Sequence, residues 1–145
     1  MPALTCSPQQ PAAPQPLEEI PAGCIALVAN TAWYLFNFRR NLMRRLLAEG
    51  FTVVAICPAD EYVSRLETLG VRWVDWPLRR VSRNPICEVQ AIRSLYSIYR
   101  RERPLIVHHF TIKPILYGTV AARLARLRRV VNSVTGLGQV FVSQS

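Results

Sequence analysis

Apolar residues in this chain fall into short runs separated by amphipathic stretches. Cys24-Ile25-Ala26-Leu27-Val28-Ala29 is a continuous apolar run of the length a buried parallel strand needs, and Phe51-Thr52-Val53-Val54-Ala55-Ile56-Cys57 is a second, richer in β-branched residues. Both read as central strands. Between them Phe38, Leu42 and Leu46 recur at helical spacing, with Met43 and Leu47 widening the stripe and Arg40, Asn41, Arg44 and Arg45 on the opposite arc; Gly50 ends that helix. Asp60 to Leu69 reads as a short helix closed by Gly70, and Val71-Arg72-Trp73-Val74-Asp75 alternates like a more exposed edge strand. Asn84-Pro85 combines a capping side chain with a proline at the first helical position, so a longer helix starts there. Val89, Ile92, Leu95, Tyr96 and Tyr99 form its buried stripe, and it ends before Pro104. Leu105 to Val107 is the fourth strand, Ile115 to Leu127 the fourth helix and Val130 to Val134 the fifth strand.

The order βαβαβαβαβ demands crossover connections and a parallel sheet covered on both faces. The fold class is therefore α/β, a Rossmann-like sheet in the order 3-2-1-4-5 with helices on both faces. Ligands in such sheets bind at the carboxyl ends of the strands, next to the point where the strand order reverses. The first and fourth strands flank that point, so Asn30 and His108 are expected to meet there.

Composition adds a boundary at the start of the chain. Residues 1–22 hold six of the eleven prolines, with Gln and Ala between them and no periodic apolar pattern, and read as a disordered leader ahead of one domain spanning 23–145. The leader has neither a basic start nor a continuous apolar core, so it does not read as a secretory signal. Arginine interrupts every later apolar stretch before it reaches the length of a membrane span. Cys6, Cys24, Cys57 and Cys87 lack the close spacing of a zinc site and read as reduced thiols of a cytoplasmic protein. The formal charge is +9, and because the leader carries Glu18 and Glu19 with no basic residue, the remainder carries +11. An anionic partner follows from that sign: a nucleic acid, an acidic membrane face or a phosphorylated small molecule.

Candidate chemistry gathers at the strand ends. His108-His109-Phe110-Thr111-Ile112-Lys113-Pro114 places two imidazoles, a hydroxyl and the chain's only lysine after the fourth strand. Alternation sends His108 and His109 to opposite sides of the sheet, each either a hydrogen-bonded structural residue or a site residue; Thr111 and Lys113 so close by favour the site. Asn30 to Arg39 contains no glycine, which disfavours a dinucleotide site and with it an epimerase or dehydrogenase. It offers instead Asn30, Thr31 and Asn37 with Trp33, Tyr34 and Phe36, a mixture suited to hydroxyl-rich or amphiphilic ligands. Arg39 lies within the apolar arc of its helix, where a guanidinium reaches either into the cleft to bind phosphate or out to solvent. Thr135, Gly136 and Gly138 form a small polar loop after the fifth strand that allows close approach of a ligand.

At these residues the chain resembles the amino-terminal domain of GT-B glycosyltransferases of family 4, in the bacterial branch that builds surface polysaccharides and lipid-linked oligosaccharides. The resemblance spans about residues 23–142 and rests on Asn37-Phe38-Arg39, Ala48-Glu49-Gly50, Pro58-Ala59-Asp60-Glu61-Tyr62, the segment from His108 to Pro114, and Thr135-Gly136-Leu137-Gly138. It implies one half of a GT-B fold: the acceptor-binding half of a retaining enzyme that moves a sugar from a nucleotide-sugar to a lipid-linked or polysaccharide acceptor. No cofactor and no metal are implied. The nucleotide-sugar is a substrate bound through a donor domain expected beyond Ser145, without which the chain is expected to be inactive. The resemblance places His108 beside the reacting centre and Asn30, Thr31 and Arg39 on the acceptor side; the residues themselves add His109 and Lys113 to the catalytic candidates and Asn37, Thr111, Thr135, Gly136 and Gly138 to the acceptor-binding ones. Many relatives carry a second histidine where this chain has Phe110, so His109, or Thr111 with Lys113, would take its place. Arg40, Arg44 and Arg45 beside aromatic residues suit peripheral contact with an anionic membrane, placing the protein in the cytoplasm or on the inner face of the plasma membrane. The competing reading is a non-catalytic basic Rossmann-like module that binds a nucleotide, RNA or a membrane-bound partner; no RNA-binding signature is present, and nucleic acid is not expected.

Overall fold

Residues 23–79 and 84–135 are described by the structure, a computed structural model. Within them β1 (Cys24–Val28), α1 (Ala32–Ala48), β2 (Thr52–Cys57), α2 (Val63–Thr68), β3 (Arg72–Asp75), α3 (Pro85–Glu102), β4 (Ile106–Phe110), α4 (Ile112–Leu124) and β5 (Val130–Ser133) follow one another. Every strand pairing is parallel, in the order β3-β2-β1-β4-β5 read from the alternation. β1 and β2 are apolar on both sides because each face of the sheet is covered. Leu35 and Met43 of α1 and Leu66 of α2 pack with Ile25, Leu27 and Val53 on one face. Leu95 and Tyr99 of α3 and Ala121 of α4 pack with Ala26, Val28 and Val54 on the other. Each fully buried Leu, Ile or Val contributes about 2 kcal/mol of transfer free energy.

The helix boundaries carry the chemistry expected of them. Gly50 and Gly70 adopt φ of 88° and 92°, where a β-carbon is costly, and end α1 and α2. Asn84 accepts a hydrogen bond from the Ile86 amide at 3.0 Å and Pro85 opens α3. Trp76 is fully buried, and its indole N–H donates to the Ala91 carbonyl at 3.0 Å, tying the segment after β3 to α3.

Several boundaries differ from the sequence reading, among them the start of α2, at Val63 instead of Asp60, and the end of α4, at Leu124 instead of Leu127. α1 starts at Ala32, ahead of the stripe from Phe38 that marked it in the sequence, so most of the stretch from Asn30 to Arg39 is helical. Its buried positions are Ala32, Leu35 and Met43, while Phe38 is exposed. In α3 the stripe is likewise rotated, to Ala91, Leu95, Ile98 and Tyr99, with Val89 exposed. β4 continues through both histidines to Phe110, and α4 begins at Ile112, taking Lys113 and Pro114 into its first turn. The strand can extend because each imidazole finds a polar partner on β5, His109 at Asn132 level with it and His108 at Ser133 two residues beyond its own level, pairings that residue type alone does not reveal. Cys57 is buried, and burial raises its thiol pKa to about 12; Cys24 and Cys87 are partly buried, and all three are free thiols.

Candidate functional site

The register between β1 and β4 sets the geometry of the cleft. Leu27 faces His108 and Val28 faces His109, so Asn30 comes level with Thr111 instead of meeting His108 as expected. Asn30 and Thr111 share a pocket of about 370 Å³ with Leu78, Ile112, Lys113 and Thr135. A second pocket, of about 440 Å³, is lined by Tyr34, Phe38, Arg39, Thr111 and Thr135. Thr111 and Thr135 belong to both, so the two hollows form one cleft across the carboxyl ends of β1, β4 and β5.

Thr111 is the turn between β4 and α4. Its φ of 68° and ψ of 159° fall in a region occupied almost only by glycine, and a β-branched residue held there stores about 1–3 kcal/mol of strain. Its hydroxyl is buried, makes no hydrogen bond and does not cap α4. The start of α4 therefore has no side-chain cap and no acidic residue in its first turn, and it presents the positive end of the helix dipole to the cleft. The start of α1 is satisfied from within: Thr31 accepts from the Tyr34 amide at 3.0 Å, and Asp60 accepts from the Trp33 amide at 3.0 Å. Thr31 is thus committed to capping.

Arg39 reaches the cleft from two turns inside α1. Its guanidinium lies over the rings of Phe110, 4.7 Å from the centroid, and of Tyr34, at 5.6 Å. One terminal nitrogen donates to the Tyr34 hydroxyl at 3.0 Å, and that hydroxyl donates to Thr135 Oγ1 at 3.2 Å. Nε of Arg39 is buried without a partner. The aromatic clamp holds the cation at a fixed height over the strand ends. Asn37 points elsewhere: its side-chain amide donates to the Trp33 carbonyl at 2.9 Å on the exposed side of α1.

The two histidines separate completely. His109 is fully buried on the α3–α4 side. Its Nδ1 lies 2.7 Å from Asn132 Oδ1, and Asn132 in turn donates to Thr119 Oγ1 at 3.1 Å. Its Nε2 lies 2.7 Å from the Tyr99 hydroxyl. Because Asn132 Oδ1 can only accept, Nδ1 carries the proton and Nε2 accepts from Tyr99. Desolvation lowers the His109 pKa and raises that of Tyr99, so both groups are neutral. His109 therefore knits α3, α4, β4 and β5 together inside the core and does not reach the cleft.

His108 faces the α1 side, half-buried, with its ring 4.0 Å from that of Phe110 and Nε2 at 2.7 Å from Ser133 Oγ. Burial first, then the positive charge of Arg39 and then His109, lower its pKa to about 4. It lies beneath the cleft floor and is not among the residues that line either hollow. Lys113 does line the cleft, but its ammonium donates to the Arg79 carbonyl at 3.0 Å and sits 3.6 Å from Glu88. It bridges α4 to the β3–α3 connection and is partly neutralised. Gly136 and Gly138 lie outside the described residues. Ser133, which the sequence did not single out, enters as the partner of His108, and Tyr34, read there only as one of the aromatic residues near the first strand, enters as the partner of Arg39 and Thr135.

A sequence profile of the family described as glycosyl transferase 4-like matches residues 24–144. The chain is 23% identical over 120 residues to the N,N'-diacetylbacillosaminyl-diphospho-undecaprenol alpha-1,3-N-acetylgalactosaminyltransferase of Campylobacter jejuni, covering 83% of this chain and 32% of that protein. Its fold superposes on a glycosyltransferase from Rickettsia africae with a TM-score of 0.62 at 14% identity, over 86% of this chain and 34% of the other. It superposes on MurG of Acinetobacter baumannii with a TM-score of 0.59 at 18% identity, over 79% and 34%. The chain thus spans about a third of the length of these relatives, and its sheet matches one Rossmann-like half of GT-B glycosyltransferases. With its motifs, its sheet order and the profile in agreement, the chain belongs to the glycosyl transferase 4-like family.

Proposed function

We propose that the described domain is the acceptor-binding half of a retaining glycosyltransferase that moves a sugar from a nucleotide-sugar to an acceptor carried on a lipid diphosphate. One observation carries this reading. The two buried side-chain polar atoms without a partner among the described residues, Arg39 Nε and Thr111 Oγ1, belong to residues that line the same hollow. A buried polar group left unpaired costs about 1–3 kcal/mol, so a ligand that supplies acceptor oxygens there recovers that cost on binding. The uncapped start of α4 and the clamped guanidinium of Arg39 both favour a phosphate, and Asn30 and Thr135 suit sugar hydroxyls. Lys113 adds positive charge at the rim. His108, neutral at pH 7, acts as a support for Phe110 and Ser133 and not as a proton carrier. The nucleotide-sugar binds to a further domain, and this half alone binds acceptor without turnover. Trp33 and Phe38, both exposed at the cleft end of α1, together with Arg40 and Arg44, form a face for peripheral contact with anionic lipid, worth about 1 kcal/mol per basic residue.

Titration with a short-chain polyprenyl diphosphate, followed by the fluorescence of Trp33 and its neighbours, tests the assignment. Arg39→Gln is expected to weaken binding by at least about tenfold, the value of one charge-assisted hydrogen bond. Equal affinity of wild type and variant would remove Arg39 from the site.

A further inference from the structure

The largest hollow among these pockets lies at the opposite end of the sheet from the cleft, about 720 Å³ in volume, where the chain enters β1 and where α3 and α4 end. Arg100, Arg103, Arg126, Arg128 and Arg129 line it over a floor that includes Leu105 and Leu127. All five arginines are exposed, and none forms an ion pair among the described residues. The acidic residue nearest in sequence, Glu102, is already engaged by Arg72 and Arg101.

Two of these arginines occupy backbone positions that favour glycine. Arg103, with φ of 45°, caps α3, and Arg126, with φ of 58°, follows the end of α4. A side chain with a β-carbon is disfavoured there relative to glycine. The helix dipoles do not account for them, because Arg100 and Arg101 in the last turn of α3 and Arg123 in the last turn of α4 already complement those ends. Five unpaired guanidiniums around one concavity form a set of forks matched to phosphate oxygens. We propose that this groove binds a soluble, multiply charged phosphate-bearing molecule, at a site separate from the cleft. A soluble ligand is favoured over a membrane surface because the groove faces away from the strand ends. A bilayer seated here would hold the cleft mouth at least a strand length, about 16 Å, from the lipid.

Inorganic tripolyphosphate is the probe, titrated calorimetrically into the 145-residue chain. The decisive variant is Arg103→Gly with Arg126→Gly, which removes two charges while relieving the left-handed strain, so its Tm should be unchanged or higher. Its affinity should fall at least tenfold. A charge-matched control, Arg65→Gln with Arg93→Gln on exposed helix faces, should stay within twofold of wild type. No binding by wild type, undiminished binding by the glycine variant, or equal weakening in the control would overturn the proposal. Two further arms separate the sources of phosphate. Cosedimentation with phosphatidylglycerol vesicles that is lost in the glycine variant would assign the groove to lipid and overturn the soluble ligand. An RNA oligonucleotide that binds more tightly than tripolyphosphate and is lost in the same variant would make it a nucleic-acid surface, with the same consequence.

Discussion

At Thr111, conformation and chemistry are in tension: a β-branched residue sits where glycine would rest, with its hydroxyl buried and unpaired. Thr111→Gly is expected to stabilise the domain by about 1 kcal/mol, the relieved strain less the added chain entropy of glycine, as a shift in the urea midpoint. Thr111→Val keeps the strain but removes the unpaired buried hydroxyl, so it should raise the midpoint while weakening polyprenyl diphosphate binding. A loss of stability in the glycine variant would show that the strain is not stored where the angles place it. His108 gives a pH dependence at the same scale. Folding lowers its pKa to about 4, chiefly through burial, and lowers that of His109 as well. An unfolded imidazole titrates near 6.5, so between about 6.5 and 4 the unfolded chain binds protons that the folded chain refuses. Stability is therefore full above about pH 6.5 and lost as the pH falls toward 4. Urea midpoints measured across that window should decline, and His108→Gln should flatten the decline in part, His109 supplying the remainder.

The elements meet at His109. A β-carbon added at Gly118 of α4 would lie 2.2 Å from His109 Nε2, and the ring cannot retreat because Tyr99 and Asn132 hold its two nitrogens. Gly118→Ala should therefore cost about 3 kcal/mol, the upper range of overpacking, although alanine has the better helix propensity. Thermal unfolding distinguishes the outcomes: a rise in Tm would mean that α4 can slide over β4. Gly118 marks the packing of α4 onto the sheet, a role that its position in an apolar helix does not reveal. The rotated stripes of α1 and α3 have a related cause. Phe38 keeps helical spacing with buried Leu35, and Val89 with partly buried Ile92 and Tyr96, but the docking angle of each helix decides which arc faces the sheet.

At the scale of the whole molecule, the two ends of the sheet differ in character, one a strained and polar cleft, the other a groove ringed by arginine. The flank beyond β5 differs again. Ile112, Leu116, Val120 and Leu124 recur every four residues along α4 and are all exposed, and β5, at the edge of the sheet, exposes Val131 on its other face. An apolar stripe next to an open strand edge favours association. The 145-residue chain is accordingly expected to self-associate with rising concentration in sedimentation velocity, and Leu116→Gln with Leu124→Gln should restore the monomer. The strand order, the capped start of α3 and the glycine stops of α1 and α2 were legible in the sequence, because apolar periodicity and terminator chemistry are local properties of the chain. So were the positions of Asn30, Arg39, Thr111, Lys113 and Thr135 near the strand ends, since topology alone brings them there. What only the tertiary structure decided was the fate of groups whose partners are distant in sequence. It drew His109 into the core through Tyr99 and Asn132 and placed His108 beneath the cleft on Phe110. It tied Lys113 to Arg79 and Glu88, and it left Arg39 and Thr111 with buried polar atoms unpaired beside one hollow. Residue type sets what a side chain can bond to; register and packing set which of those bonds are made.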